Sequence, residues 1–164
     1  MRKITAVHAS SEKFNDFGSF IAVSDNQMIK PSAESDIQTF FGKLGIMECK
    51  DAIELGICIA KKRSIKVTEM EQHAKTSELL VALNGDFIAP VAPSILKDGK
   101  LVPDFDKAIA IRVNQGEGVL FNIGVWHWTP YPVNDTATVL VAFKENTPKE
   151  DFISAIWSSE LVIE

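Results

Sequence analysis

From Ile53 onward, apolar residues alternate with polar ones or gather in short runs, at 53–60, 64–73, 77–83, 86–92, 107–113, 119–128 and 136–143, with Gly, Pro, Asn or Asp between most of them. A side-chain period of two bounded by turn formers predicts β-strands, and strands spaced this evenly predict a barrel or sandwich. Asn84-Gly85, between two such runs, predicts a tight hairpin because both residues tolerate positive φ, and Asp98-Gly99 predicts another hairpin or loop.

The flanks are read differently. Residues 4–8 predict a short strand, and Ser10 or Ser11 then offers an N-cap for a short helix over Glu12–Phe17 that stops at Gly18. Between Ser19 and Met47, Pro31, Ser32, Ser35, Gly42 and Gly45 interrupt short apolar pieces, which predicts loops and edge strands. Pro148 and the acidic residues after it start a second helix over 148–157, ahead of the apolar close Leu161-Val162-Ile163. No fixed-period repeat or linker divides the chain, so residues 1–164 are expected to form one domain.

Composition narrows the function classes. The chain carries 17 Lys and Arg against 22 Asp and Glu, a net charge of −5, which disfavours a nucleic-acid partner. No run approaches a membrane span, and Met1–His8 is too short an apolar stretch for a secretory signal, so a cytoplasmic protein is expected. Cys49 and Cys58 match no zinc or redox spacing and read as buried, inert thiols.

Candidate chemistry lies in two places. If 64–73 is a strand, Val67, Glu69, Glu71 and His73 share one face, and that face is either a solvated charged surface or a polar site. Glu78 opens the next strand, from which an antiparallel pairing would set its carboxylate beside His73. Farther on, His127 stands between Trp126 and Trp128, which must point away from it in an extended segment. His8 reads as a structural residue.

The spacing of these residues resembles the cupin superfamily. Glu71-x-His73, four residues, Glu78, six residues and Gly85 fit its first motif with Glu71 in place of the first histidine. Gly116, Asn122, Gly124, His127 and Tyr131 fall at the positions of its second, with Asn122 for the usual Pro and Tyr131 for the usual Asn. Within that superfamily the chain is similar to the ureidoglycolate lyase family, in its Glu69-x-Glu71-x-His73 segment, its later Trp126-His127 and its Ser11–Gly18 helix ahead of the barrel.

The resemblance implies an all-β fold, a cupin-type double-stranded β-helix (jelly-roll) barrel with short N- and C-terminal helices. It implies cleavage of ureidoglycolate to glyoxylate and urea, with Glu71, His73, Glu78 and His127 as catalytic residues. The same four are the candidate ligands of a divalent ion, Zn, Mn, Ni or Fe, in a metal-dependent version. A metal-free version has them exchange protons directly. An anionic substrate needs a cation, for which Lys61 is placed ahead of Lys66 and Arg112. Another small hydroxy acid or sugar as substrate, or a non-enzymatic binding barrel, are the competing readings. A homodimer is expected, joined through a sheet face or edge or through the apolar tail 152–163.

Overall fold

The computed structural model describes residues 1–23, 30–47 and 49–164. The part of the expected loop and edge-strand region at 24–29 lies outside the described residues. Strands run in chain order as β1 (Arg2–Ile4), β2 (Val7–His8), β3 (Gly18–Ile21), β4 (Ala33–Ser35), β5 (Gln38–Phe40), β6 (Ile53–Lys61) and β7 (Lys66–Gln72). They continue as β8 (Glu78–Asn84), β9 (Phe87–Ala92), β10 (Ser94–Lys97), β11 (Lys100–Pro103) and β12 (Ile109–Val113). The last are β13 (Gly118–Phe121), β14 (Trp126–His127), β15 (Tyr131–Pro132), β16 (Thr136–Lys144) and β17 (Ile153–Ile163).

Two sheets carry the architecture. The larger has the order β1-β17-β7-β14-β9-β12-β2 with β15 beside β9, and the smaller has the order β3-β13-β8-β16-β6. Side chains from both meet in one core: Leu80, Val119, Phe121 and Val139 from the smaller sheet against Phe87, Val91, Ile111 and Val113 from the larger. The larger sheet buries its other face as well, where Met70, Ile88, Trp126, Tyr131 and Leu161 form a second cluster. Strand β9 is consequently buried at every position, as its unbroken apolar sequence requires.

The expected strands are present, with differences that matter for the site. Asn84-Gly85 does not close a hairpin, because β8 pairs with β13 and β16 while β9 pairs with β12, β14 and β15. Gly85, at φ +75°, turns the chain from one sheet to the other. The run 119–128 is likewise two strands in different sheets, β13 and β14, and Gly124 at φ +77° lies in the crossing. Asp98-Gly99 does form a hairpin, both residues having positive φ between β10 and β11. Residues 4–8 fall into β1 and β2, separated by two residues.

Neither terminal helix takes its expected form. The first is a single 3-10 turn, Glu12–Phe14, capped by Ser11 and anchored by buried Phe14. The second is a four-residue helix, Thr147–Glu150, after which Ile153–Ile163 is a strand. Pro148 and the acidic residues do start a helix, but β7 offers the following segment an antiparallel ladder, and tertiary pairing overrides a local preference worth tenths of a kcal/mol. The apolar tail is thereby engaged within its own chain, with Leu161 and Ile163 buried. No helix among the described residues is long and apolar enough to cross a membrane.

The corner at Gly85 is expected to be the costlier of two comparable positions. Gly85 and Gly99 share a φ of +75°, but a Cβ on Gly85 would stand 2.8 Å from the Thr136 carbonyl oxygen, whereas nothing lies within 4 Å of one on Gly99. Gly99→Ala should cost about 1–2 kcal/mol for the backbone conformation alone, and Gly85→Ala about 2–4 kcal/mol, read by urea unfolding. Equal losses at both would contradict the close approach at this corner.

Candidate active site

The site is made where the two sheets face each other. His73 directly follows β7 and His127 lies on β14, two strands of the larger sheet, while Glu78 opens β8 in the smaller one. The Glu78 carboxylate oxygen Oε2 stands 3.0 Å from His73 Nε2 and 2.9 Å from His127 Nε2, and all three residues are buried. The two rings meet edge to face with centroids 5.2 Å apart, and His127 stacks on Phe121 at 4.9 Å. Glu78 therefore reaches His73 across the interior, not along a shared hairpin. Trp126 points away from His127 into the outer cluster, as an extended segment requires.

The outer nitrogens of both rings are committed. His73 Nδ1 donates to the Asp151 carbonyl at 2.7 Å, and His127 Nδ1 donates to the Val125 carbonyl at 3.0 Å. A carbonyl can only accept, so each Nδ1 carries the proton, and a neutral ring presents an Nε2 lone pair inward. Three acceptors then converge: two imidazole nitrogens and a carboxylate oxygen. Despite the short distances, neither Glu78 Oε2 nor His127 Nε2 has a hydrogen bond of acceptable direction among the described residues. Something positive must sit among them, either protons on the rings or a metal ion.

The residues present fit a metal ion. One ligand atom from each of His73, Glu78 and His127 lies within 4.8 Å of the others. Two nitrogens and an oxygen suit a divalent transition metal, and each Nδ1 is held by a carbonyl in the way that fixes the ring of a metal-ligating histidine. Asp151 adds to this on one side, because its carboxylate accepts the backbone N–H groups of Ala74 at 2.9 Å and Lys75 at 2.8 Å and so pins the chain after His73.

Without a metal, protons take its place. Burial pushes the Glu78 carboxyl up, but the charge and closeness of the two imidazoles outweigh it and bring its pKa down to about 2. Burial pushes both imidazoles down, and the closeness and charge of Glu78 outweigh it, so His73 and His127 are held above their ordinary value.

Glu71 completes the site from the side. It is the ladder partner of His127 and half-buried, and burial, with Glu78 adding to it, raises its pKa above the ordinary carboxylate value. It is not among the three clustered ligand residues, but it shares with Glu78 and His127 a cavity of about 120 Å³ whose walls include Cys58, Thr129 and Pro130. Cavities for drug-sized ligands run to roughly 300–1,000 Å³, so this one takes only a small molecule. Larger cavities of about 370 and 670 Å³ lie elsewhere, and neither contains any of these four residues.

The remaining sequence expectations are met unevenly. Lys61 ends β6 with an exposed side chain and is not a wall of this cavity. Lys66 pairs with Glu160 and Arg112 with Asp86. Val67 packs in the outer cluster with Met70, out of phase with Glu69 and Glu71, and the pairing of β7 with β17 shifts register between Glu69 and Val67. Both cysteines are half-exposed instead of buried, and Cys58 lines the site. His8 bonds to Ser10 and pairs with Glu117, tying the N-terminal segment to the turn before β13. Asp151 and Arg63, which sequence reasoning missed, have no local signal, since both act on residues distant in the chain.

A family model for ureidoglycolate lyase matches residues 1–164. The chain belongs to the ureidoglycolate lyase family. It is by family a lyase. No curated protein matches it. Among solved structures it is similar to a mutant of Bacillus subtilis oxalate decarboxylase OxdC, at 14% identity over 65% of this chain and 24% of that one, with a TM-score of 0.41. It is also similar to CapF with the inhibitor 3-isopropenyl-tropolone, at 16% identity over 88% of this chain and 33% of that one, with a TM-score of 0.42. The chain thus spans about a quarter to a third of the length of those proteins. Likenesses this low leave substrate and metal to be argued from the family and from this chain's own residues.

Two outcomes are expected. Protein purified without chelator or affinity tag should carry about one divalent ion per chain by elemental analysis, kept in Glu71→Gln and lost in His73→Ala, Glu78→Ala and His127→Ala. Metal-free protein should in addition be most heat-stable between about pH 4.5 and 6.5. The raised histidines contribute stability fully below their unfolded value of 6.5, and it is lost as pH rises through their folded values. The lowered Glu78 contributes above 4.5, and that is lost as pH falls toward about 2. A melting temperature flat from pH 5 to 8 in metal-free protein would contradict the arrangement.

Proposed function

We propose that this protein cleaves ureidoglycolate to glyoxylate and urea at the site formed by His73, Glu78, His127 and Glu71. The observation that carries the reading is the convergence of three buried acceptor atoms, two of whose residues, Glu78 and His127, line a small cavity together with Glu71, in a chain that belongs to the ureidoglycolate lyase family throughout its length. For the fold we read the two curled sheets as the cupin double-stranded β-helix. The support is that its first motif, Glu71 to Gly85, runs from the larger sheet into the smaller, and its second, Gly116 to Tyr131, runs back.

The reaction breaks the carbon–nitrogen bond to the ureido group as the neighbouring hydroxyl becomes a carbonyl. The hydroxyl loses a proton, the departing nitrogen gains one, and no water is consumed. Glu71 is the proton carrier in this reading, because it faces the cavity, is not one of the three clustered ligand residues, and has a pKa raised toward the range where a carboxyl both takes and gives a proton. His73, Glu78 and His127 hold the hydroxyl end of the substrate. A divalent ion bound by these three would supply Lewis acidity at the oxygen that loses its proton. Asp151 and the Val125 carbonyl keep the rings turned inward.

Incubation of the purified protein with ureidoglycolate, with urea, glyoxylate and ammonia measured separately, tests this. Urea and glyoxylate should appear in equal amounts without ammonia. His73→Ala and His127→Ala should abolish turnover while keeping the fold, and Glu71→Gln should lower it about a hundredfold or more. Release of ammonia in place of urea, or retained turnover in both histidine variants, would overturn the assignment.

A further inference from the structure

We propose that Arg63, and not Lys61, is the residue that binds the substrate's carboxylate. This rests on the reading that a small hydroxy acid occupies the cavity beside Glu71, Glu78 and His127. Such a ligand brings a negative charge to a site whose described walls include Glu71 and Glu78 and no Lys or Arg, so a cation has to meet it from beside the cavity.

Arg63 is not itself a wall of the cavity, but its guanidinium is held against one. It lies over the Tyr131 ring at 3.9 Å from the centroid, and its Nη2 donates to the Thr129 carbonyl at 3.0 Å, Thr129 being a wall of the cavity. Cys58, another wall, has its thiol pKa raised chiefly by burial, with the nearby Arg63 charge lowering it and Glu78 raising it, so the Arg63 charge is felt at the cavity. Of the other candidate cations, Lys66 pairs with Glu160, Arg112 with Asp86 and Lys144 with Asp51 and Glu150, while Lys61, exposed like Arg63, stacks on no ring among the described residues.

Among the described residues no carboxylate pairs with Arg63, and its side-chain hydrogen bonds go to two backbone carbonyls, those of Thr129 and Lys61. A guanidinium has five N–H groups in a planar fork, so donors remain for the two oxygens of a carboxylate. Stacking on Tyr131 and the bond to Thr129 fix the fork before a ligand arrives, which limits the ordering cost of binding. In this arrangement the carboxylate is anchored at the rim by Arg63 while the hydroxyl is directed inward to His73, Glu78 and His127. A ligand of that class is a short 2-hydroxy acid, and its neutral ester or amide is discriminated against.

The test compares glycolate, which carries only the hydroxyl and the carboxylate, with methyl glycolate, which lacks the charge, by NMR titration of wild-type protein, Arg63→Gln, Arg63→Met and Lys61→Gln. Wild type should prefer glycolate. Both Arg63 variants should weaken glycolate about tenfold to a hundredfold and leave methyl glycolate unchanged, while Lys61→Gln keeps the preference. Arg63→Met retains an apolar stem over Tyr131, so a loss in both variants with an unchanged melting temperature separates charge from packing. With ureidoglycolate the same variants should raise KM by a similar factor with a smaller fall in kcat, and Arg63→Lys should recover part of it. The proposal is overturned if the preference survives both Arg63 variants, if it disappears in Lys61→Gln, or if wild type shows none. Failure of urea release alone would strike the reaction and leave the anion site standing.

Discussion

Three hydrogen-bond acceptors, His73 Nε2, Glu78 Oε2 and His127 Nε2, face one another inside this protein, and among the described residues Glu78 Oε2 and His127 Nε2 have no hydrogen-bond partner of acceptable geometry. Glu78 cannot donate while ionised, and both imidazoles have spent their one neutral-state proton on backbone carbonyls at Asp151 and Val125. Burial of such a set is strongly unfavourable without a positive species, which makes the centre a receptor for a cation in the physical sense before any reaction is considered. A proton on each ring satisfies it at low pH, and a divalent ion satisfies it in the range where the rings would otherwise have to stay charged.

The fold is organised to hold that conflict in place. Histidines from the larger sheet meet a glutamate from the smaller one, so the contact exists only when the two sheets are packed face to face. The crossings that change sheets are set by glycines with positive φ, Gly85 between β8 and β9 and Gly124 between β13 and β14, and the N–H of Gly124 bonds the His73 carbonyl at 2.8 Å. The C-terminal segment contributes from outside, since Asp151 closes on the end of β7 just before β17 pairs along it. Stability and chemistry thus depend on the same long-range pairings.

How much of this was legible in the sequence follows from the range of the forces involved. The period-two runs, the turn glycines and the spacing of Glu71, His73, Glu78 and His127 are local signals, and they led to the β class and to residues that the structure brings near one another. Asn84-Gly85 carried a true signal for positive φ but not for what the turn connects, because a hairpin and a sheet-to-sheet corner need the same glycine. The segment 153–157 reads as helix until a partner strand is supplied, and β7 lies more than eighty residues away. Arg63 went unnoticed for the same reason: its importance comes from Thr129 and Tyr131, which no local pattern links to it.

The convergence of acceptors is tested most directly by ¹⁵N NMR of the histidine rings in metal-free protein at about pH 6, before and after adding Zn²⁺. The account predicts that His73 and His127 both begin protonated on both nitrogens. On metal addition both should keep the Nδ1 proton and lose the one at Nε2, while His8 is unaffected. Rings that begin neutral and do not respond to metal, or a response confined to one of the two, would contradict it.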